Sequence, residues 1–265
     1  MKFKAFVADA FTRRLFGGNP AAVVLLDEWP EDSLLKSIAS ENNLPETAFL
    51  VKTGEGFHLR WFTPDIEMDL CGHATLASAH IIFTETGFKD NIVNFNTVSG
   101  ILQVRRVTET QFNEYELEFP KRVGAPSDLP ENIANSLSIK PLEVLKARDY
   151  MLVYSHCDDV ANIKIERGEF DKINLGNGGV IITAPGIECD FVSRFFTPGA
   201  TLFEDPVTGS AHCTLAPYWS ERLGKDILSA KQLSDRGGEL VCRVGGDTVF
   251  IKGSAITYSE SYINI

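Results

Sequence analysis

The chain has 265 residues, 44% of them hydrophobic and 23% charged, with eighteen Phe, six Tyr and three Trp. That is enough apolar matter for one large domain or two ordinary ones, and it excludes a disordered or low-complexity chain. With 25 basic against 36 acidic residues the net charge is −11, a field that repels polyanions, so neither nucleic acid nor a membrane surface is expected as a partner.

In chain order, 3–8 and 21–26 read as strands on either side of the GGNP turn at 17–20. A helix is expected over 31–42, with Leu34, Leu35, Ile38 and Ala39 on one stripe. A strand over 47–51 ends at the TGEG turn of 53–56, and a second helix runs over 72–86. Strands follow at 100–104 and 115–119, a short helix at 141–146, a strand at 180–183 after LGNGG, and a last helix over 209–223. The class is α+β with mostly antiparallel strands. No run approaches the ~18 apolar residues that span a bilayer. The opening MKFKAFVADAFTRR breaks its apolar run at Asp9, Arg13 and Arg14, too early for a secretory segment, which points to the cytoplasm. Cys71, Cys157, Cys189, Cys213 and Cys242 are odd in number, scattered and without a CxxC pair, so they read as reduced thiols.

The chain repeats itself. RWFTP at 60–64 returns as RFFTP at 194–198; each copy is followed by an acidic loop and then by a Gly that opens a helix, CGHATLASAH at 71–80 and TGSAHCTLAPYW at 208–219. Two related halves are inferred, 1–120 and 121–265, with the extreme C-terminus a candidate to pack back on the first half and the seam near 121–130. Both helices are apolar nearly all round, so each half is expected to curl a sheet about its own central helix, the second bent by Pro217.

Gly72, His73 and Ala74, and again Gly209, Ser210 and Ala211, would present free backbone N–H groups at the two helix starts, where anions bind. Starts that faced one another would form a cleft holding a small anionic substrate; the plainer reading is that these glycines permit close packing. His73 follows the helix-opening Gly, where it can handle protons or simply bond local backbone. His80 lies about 10 Å further along the helix, too far to share one metal ion with His73, and no other cluster has ligand spacing, so no metal is expected. Cys71 sits where a thiol pKa can fall, but its counterpart in the repeat is Thr208, so a two-thiol racemase lacks half its equipment. Carboxylates remain. Asp205 either caps the second helix or faces the cleft, and Glu46 is either an exposed strand end or an acid and base in a dry cleft. The glycines at 176, 178 and 179 do not complete the GxGxxG of a phosphate loop, GSAH is not the GxSxG of an acyl hydrolase, and no Lys has a Schiff-base context, so PLP is not indicated. The stretch 147–169 holds side chains that the sequence does not place.

FTRRLFGGNPAAVVLL (11–26), ENNLPETAFLV (41–51), RWFTPDIEMDLCGHATLASAH (60–80) and RFFTPGATLFEDPVTGSAHC (194–213) together resemble the PhzF-like phenazine-biosynthesis family, along essentially the whole chain. The resemblance implies the diaminopimelate epimerase fold, with two pseudo-symmetric halves, each an antiparallel barrel-like sheet around a central helix. It also implies a homodimer without cofactor. It marks Glu46 as proton shuttle, His73, Asp205 and Ser210 as catalytic companions, and Gly72, His73, Gly209 and Ser210 as substrate-binding donors. The implied activity is a cofactor-independent isomerase that moves a carbon-bound proton on a small carboxylate-containing compound. The alternative is a catalytically silent ligand-binding or interaction protein that keeps the fold.

Overall fold

The computed structural model describes residues 2–54 and 56–265. Met1 and Glu55 lie outside the described residues, so the expected TGEG turn is described only at Thr53, Gly54 and Gly56. The chain divides into two compact units, Met1–Glu118 with Ile251–Ile265, and Phe119–Phe250.

The first unit contains β1 (Lys2–Ala10), β2 (Asn19–Leu26), α1 (Asp32–Asn42), β3 (Glu46–Thr53), β4 (Gly56–Phe62), β5 (Glu67–Met68), α2 (Gly72–Glu85), β6 (Ile92–Thr97), β7 (Gly100–Val107) and β8 (Glu114–Pro120). The second contains β9 (Ala125–Pro126), α3 (Glu131–Ser136), β10 (Glu143–Lys146), β11 (Tyr150–Val153), α4 (Cys157–Asn162), α5 (Arg167–Phe170), β12 (Val180–Pro185) and β13 (Phe191–Phe196). A 3₁₀ turn at Gly209–Ala211 then leads into α6 (His212–Leu223), β14 (Ile227–Gln232) and β15 (Gly238–Gly245). The last strand, β16 (Thr248–Asn264), belongs to the first unit from Ile251 onward.

The strand order in the first unit is β1-β2-β3-β4-β6-β7-β8-β16, and β16 pairs back onto β1, closing a barrel of eight strands among the described residues. Every residue of α2 from Gly72 to Phe83 is buried, as its lack of a polar face requires. The second unit repeats the order as β10-β11-β12-β13-β14-β15, with β9 at the edge of β10. Here α6 is buried only through Ala216 and at Trp219, whose ring stacks on Phe191 at 5.9 Å and whose indole N–H reaches Thr183 Oγ1 at 3.0 Å. Its last turn is exposed, so the expectation of burial on every side holds for the first helix only.

The strands pair mostly antiparallel, as expected, and four pairs among the described residues are parallel: β2 with β3, β4 with β6, β11 with β12 and β13 with β14. Parallel neighbours need a crossover, and helices between these strands supply it, which local strand propensity does not reveal. One further expectation is corrected: residues 141–146 are not helical; β10 alternates toward both faces and pairs antiparallel with β11, the pairing overriding a weak helical pattern.

The repeat has a physical core. Arg60 forks onto Glu67 at 2.7 and 2.8 Å and lies 5.1 Å over the Phe62 ring; Arg194 forks onto Glu204 at 2.7 Å twice and lies 4.9 Å over Phe196. In both copies the arginine before FTP pins the acidic loop that leads to the helix. Pro217 has no N–H for the carbonyl of Cys213 four residues back, and the Arg122 N–H takes that acceptor instead at 3.0 Å. Among the described residues no helix is long and apolar enough to cross a membrane.

Candidate active site

Since β2 and β3 run parallel, with Ala21 opposite Glu46, both strands begin at the same end of their sheet. Asn19 stands at the start of β2 and Glu46 at the start of β3, while Cys71 and His73 bracket the start of α2. Topology thus gathers residues up to 54 positions apart. Gly18 makes the approach to Asn19 possible: its φ is +62°, and a Cβ there would run into the Ala10 carbonyl oxygen.

His73 is buried, with Nε2 2.9 Å from Glu46 Oε2, a close pair that is not aligned as a hydrogen bond. Its Nδ1 lies 3.1 Å from Asn19 Nδ2 and 3.5 Å from Cys71 Sγ. With Nδ1 accepting from the amide, the ring proton sits on Nε2, toward Glu46; the amide turned about offers Oδ1 to a doubly protonated ring. Burial opposes the charged imidazole, yet its contacts with Cys71 and Glu46 outweigh it and hold His73 well above its ordinary value. Burial pushes the Cys71 thiol up to about 11, with the Glu46 charge adding to the rise, so the sulfur carries its proton at neutral pH. Glu46 keeps a small opening to solvent, its side chain 13% exposed.

At the helix start the Cys71 carbonyl accepts from Thr75 Oγ1 at 2.5 Å, and the Gly72 and His73 N–H groups make no hydrogen bond among the described residues. The sequence spacing concealed one grouping: donor atoms of Glu46, Cys71 and His73 all lie within 4.8 Å of one another, close enough to share a metal ion. Glu46 enters this cluster from another strand, which is why spacing along the helix missed it. His80 belongs elsewhere, its two ring nitrogens 2.9 Å from Tyr115 Oη and Thr257 Oγ1.

In the second unit Asp205 Oδ2 accepts from Thr208 Oγ1 at 2.6 Å, which braces the loop before the 3₁₀ turn. Gln232, buried on β14 and not foreseen from the sequence, ties this loop down. Its Nε2 donates to the Asp205 carbonyl at 2.8 Å, and its Oε1 accepts from the Thr208 N–H at 2.8 Å. His212 Nδ1 lies 2.8 Å from the Thr208 carbonyl, as Thr75 bonds the Cys71 carbonyl in the first unit. Burial lowers His212 to about 4, leaving it neutral. Ser210 is buried, and its Oγ accepts from Arg148 Nη2 at 3.1 Å. The Gly209 and Ser210 N–H groups make no hydrogen bond among the described residues. Glu46 and His73 therefore form one close group, and Asp205, Gly209 and Ser210 lie along a second loop and helix start.

The family model for phenazine biosynthesis-like proteins (PhzC-PhzF) matches residues 8–261. An uncharacterized isomerase of Pseudomonas aeruginosa is 43% identical over 266 residues, covering 100% of both chains. The crystal structure of a PhzF-family phenazine biosynthesis protein from Enterococcus faecalis has a TM-score of 0.93 and 40% identity, again over 100% of both chains. A probable proline racemase from Agrobacterium radiobacter K84 shares the fold alone, with a TM-score of 0.69 and 9% identity over 99% of this chain and 93% of that one.

Proposed function

The chain belongs to the phenazine biosynthesis-like family, and on that premise we propose that it is a cofactor-independent isomerase moving a carbon-bound proton on a small carboxylate-containing substrate, with Glu46 as both acid and base. The observation that carries this reading is the Glu46–His73 pair: a carboxylate slightly open to solvent, 2.9 Å from a buried histidine whose protonated form is favoured. Glu46 removes the proton from carbon and returns it to another carbon of the conjugated acid. His73 holds the carboxylate in place, and Asn19, able to face either protonation state of the ring, steadies it. Negative charge that grows on the substrate during proton transfer is met by the N–H groups of Gly72 and His73. Asp205, Ser210 and the Gly209 N–H belong to the same reading as companions in catalysis and substrate binding.

Cys71 is not asked to act, because a thiol held to about 11 is a poor base at neutral pH. The five cysteines form no disulfides, which suits a reducing compartment, so a cytoplasmic setting is part of the proposal, as is a homodimer. The test is incubation in D2O with cyclohex-2-ene-1-carboxylate, whose loss of the α-proton and reprotonation at the γ-carbon gives the conjugated 1-ene isomer. Formation of the 1-ene isomer supports the reading, with deuterium at the γ-carbon to the extent that Glu46 exchanges with solvent; ligand bound without isomerisation points to a silent binding protein.

A further inference from the structure

The repeat places a second polar pair where the sequence offered no sign of one. In the first unit the parallel pair β2/β3 opens with Ala21 opposite Glu46, and Asn19, two residues earlier, reaches His73 at 3.1 Å. In the second unit β11/β12 opens with Tyr150 opposite Val180, and Arg148, two residues earlier, reaches Ser210 Oγ at 3.1 Å. His73 and Ser210 each follow the glycine that opens their helix. Arg148 is thus the second unit's counterpart of Asn19.

Its surroundings are built. Arg148 Nε donates to Asp149 Oδ1 and Oδ2 at 3.0 and 3.1 Å, and Nη2 donates to Oδ2 at 2.8 Å. Asp149 is fully buried, and its Oδ1 also accepts the Gly179 N–H at 2.9 Å, so the guanidinium is fixed from behind. Nη1 donates to no described residue, and the Arg148 side chain is 26% exposed. Because Ser210 Oγ accepts from Arg148, its own hydroxyl proton is left to donate, beside the unbonded N–H groups of Gly209 and Ser210.

We propose that Arg148, positioned by Asp149, is a specificity-determining residue that together with the Ser210 hydroxyl binds a carboxylate of the substrate. A planar guanidinium with one free edge matches the two oxygens of a carboxylate and loses both charge and fit against an amide. This rests on the isomerase reading only for the identity of the ligand; the recognition itself needs no turnover.

Calorimetric titration of the full chain with cyclohex-2-ene-1-carboxylate and with its carboxamide tests it. The wild type is expected to prefer the acid, and Arg148→Met to weaken acid binding about ten- to a hundredfold while changing the amide less than about threefold. Arg148→Lys keeps a cation beside buried Asp149, guarding against loss of fold, and is expected to recover only part of the preference because the fork is gone. Glu46→Gln is expected to bind the acid as the wild type does while exchange stops, which separates failure of recognition from failure of proton transfer. Equal affinity for acid and amide in the wild type, or an acid preference that survives in both Arg148 variants, overturns the proposal.

Discussion

His73 Nε2 lies 2.9 Å from Glu46 Oε2, and this contact joins the first residue of a strand to the second residue of a helix 27 positions away. The ring is buried, and its contacts with Cys71 and Glu46 favour its protonated form there. His73 is raised in the folded state, so it holds a proton that the unfolded chain releases near pH 6.5. Its contribution to stability is therefore complete below that pH and is lost as pH rises through the folded value. His80 and His212 behave oppositely: burial lowers both to about 4, so the unfolded chain takes up protons first as pH falls. Each then costs roughly 3 kcal/mol between pH 6.5 and 4. Thermal unfolding followed against pH is expected to show a maximum near neutrality, with His73→Asn flattening the alkaline limb. An alkaline limb unchanged in that variant contradicts the pairing.

Cys71 is expected to be chemically quiet. Its thiol is fully buried and held to about 11, whereas Cys157 is partly exposed. Mass spectrometry after brief treatment with iodoacetamide at pH 7.5 is expected to find Cys157 alkylated well before Cys71, and Cys71→Ser is expected to keep exchange within about threefold of wild type. A loss beyond a hundredfold in that variant would restore the thiol as a base.

Gly18 holds Asn19 in place, so Gly18→Ala is expected to destabilise by about 3 kcal/mol, combining left-handed backbone strain with collision against the Ala10 carbonyl. Urea unfolding measures the loss. A stability within 0.5 kcal/mol of wild type, on the order of a neutral surface change, would show that the β1–β2 loop relaxes freely.

Particular residues show how much was legible in the sequence. RWFTP and RFFTP announced the duplication because each arginine must pin an acidic loop, and that requirement leaves the same letters twice. The central helix over Gly72–Glu85 was legible because it has no polar face. Strand direction was not: Val, Ile and Phe favour a pleated surface without stating which neighbour lies beside it, so the parallel pairs went unseen. Glu46 and His73 could be named separately from their motifs, but their contact, and the sulfur of Cys71 beside it, depends on two strands starting at one end of a sheet. Arg148 and Asp149 sat in a stretch with no motif, and only the β11/β12 register placed them against Ser210.

The decisive measurement is deuterium uptake into cyclohex-2-ene-1-carboxylate by the wild type and by Glu46→Gln, at equal occupancy and with unfolding curves matched. Replacing the carboxylate by an amide of nearly the same shape is expected to slow uptake by about 10² to 10⁴-fold while binding persists. Uptake by the folded, ligand-bound variant at the wild-type rate would remove Glu46 from the chemistry.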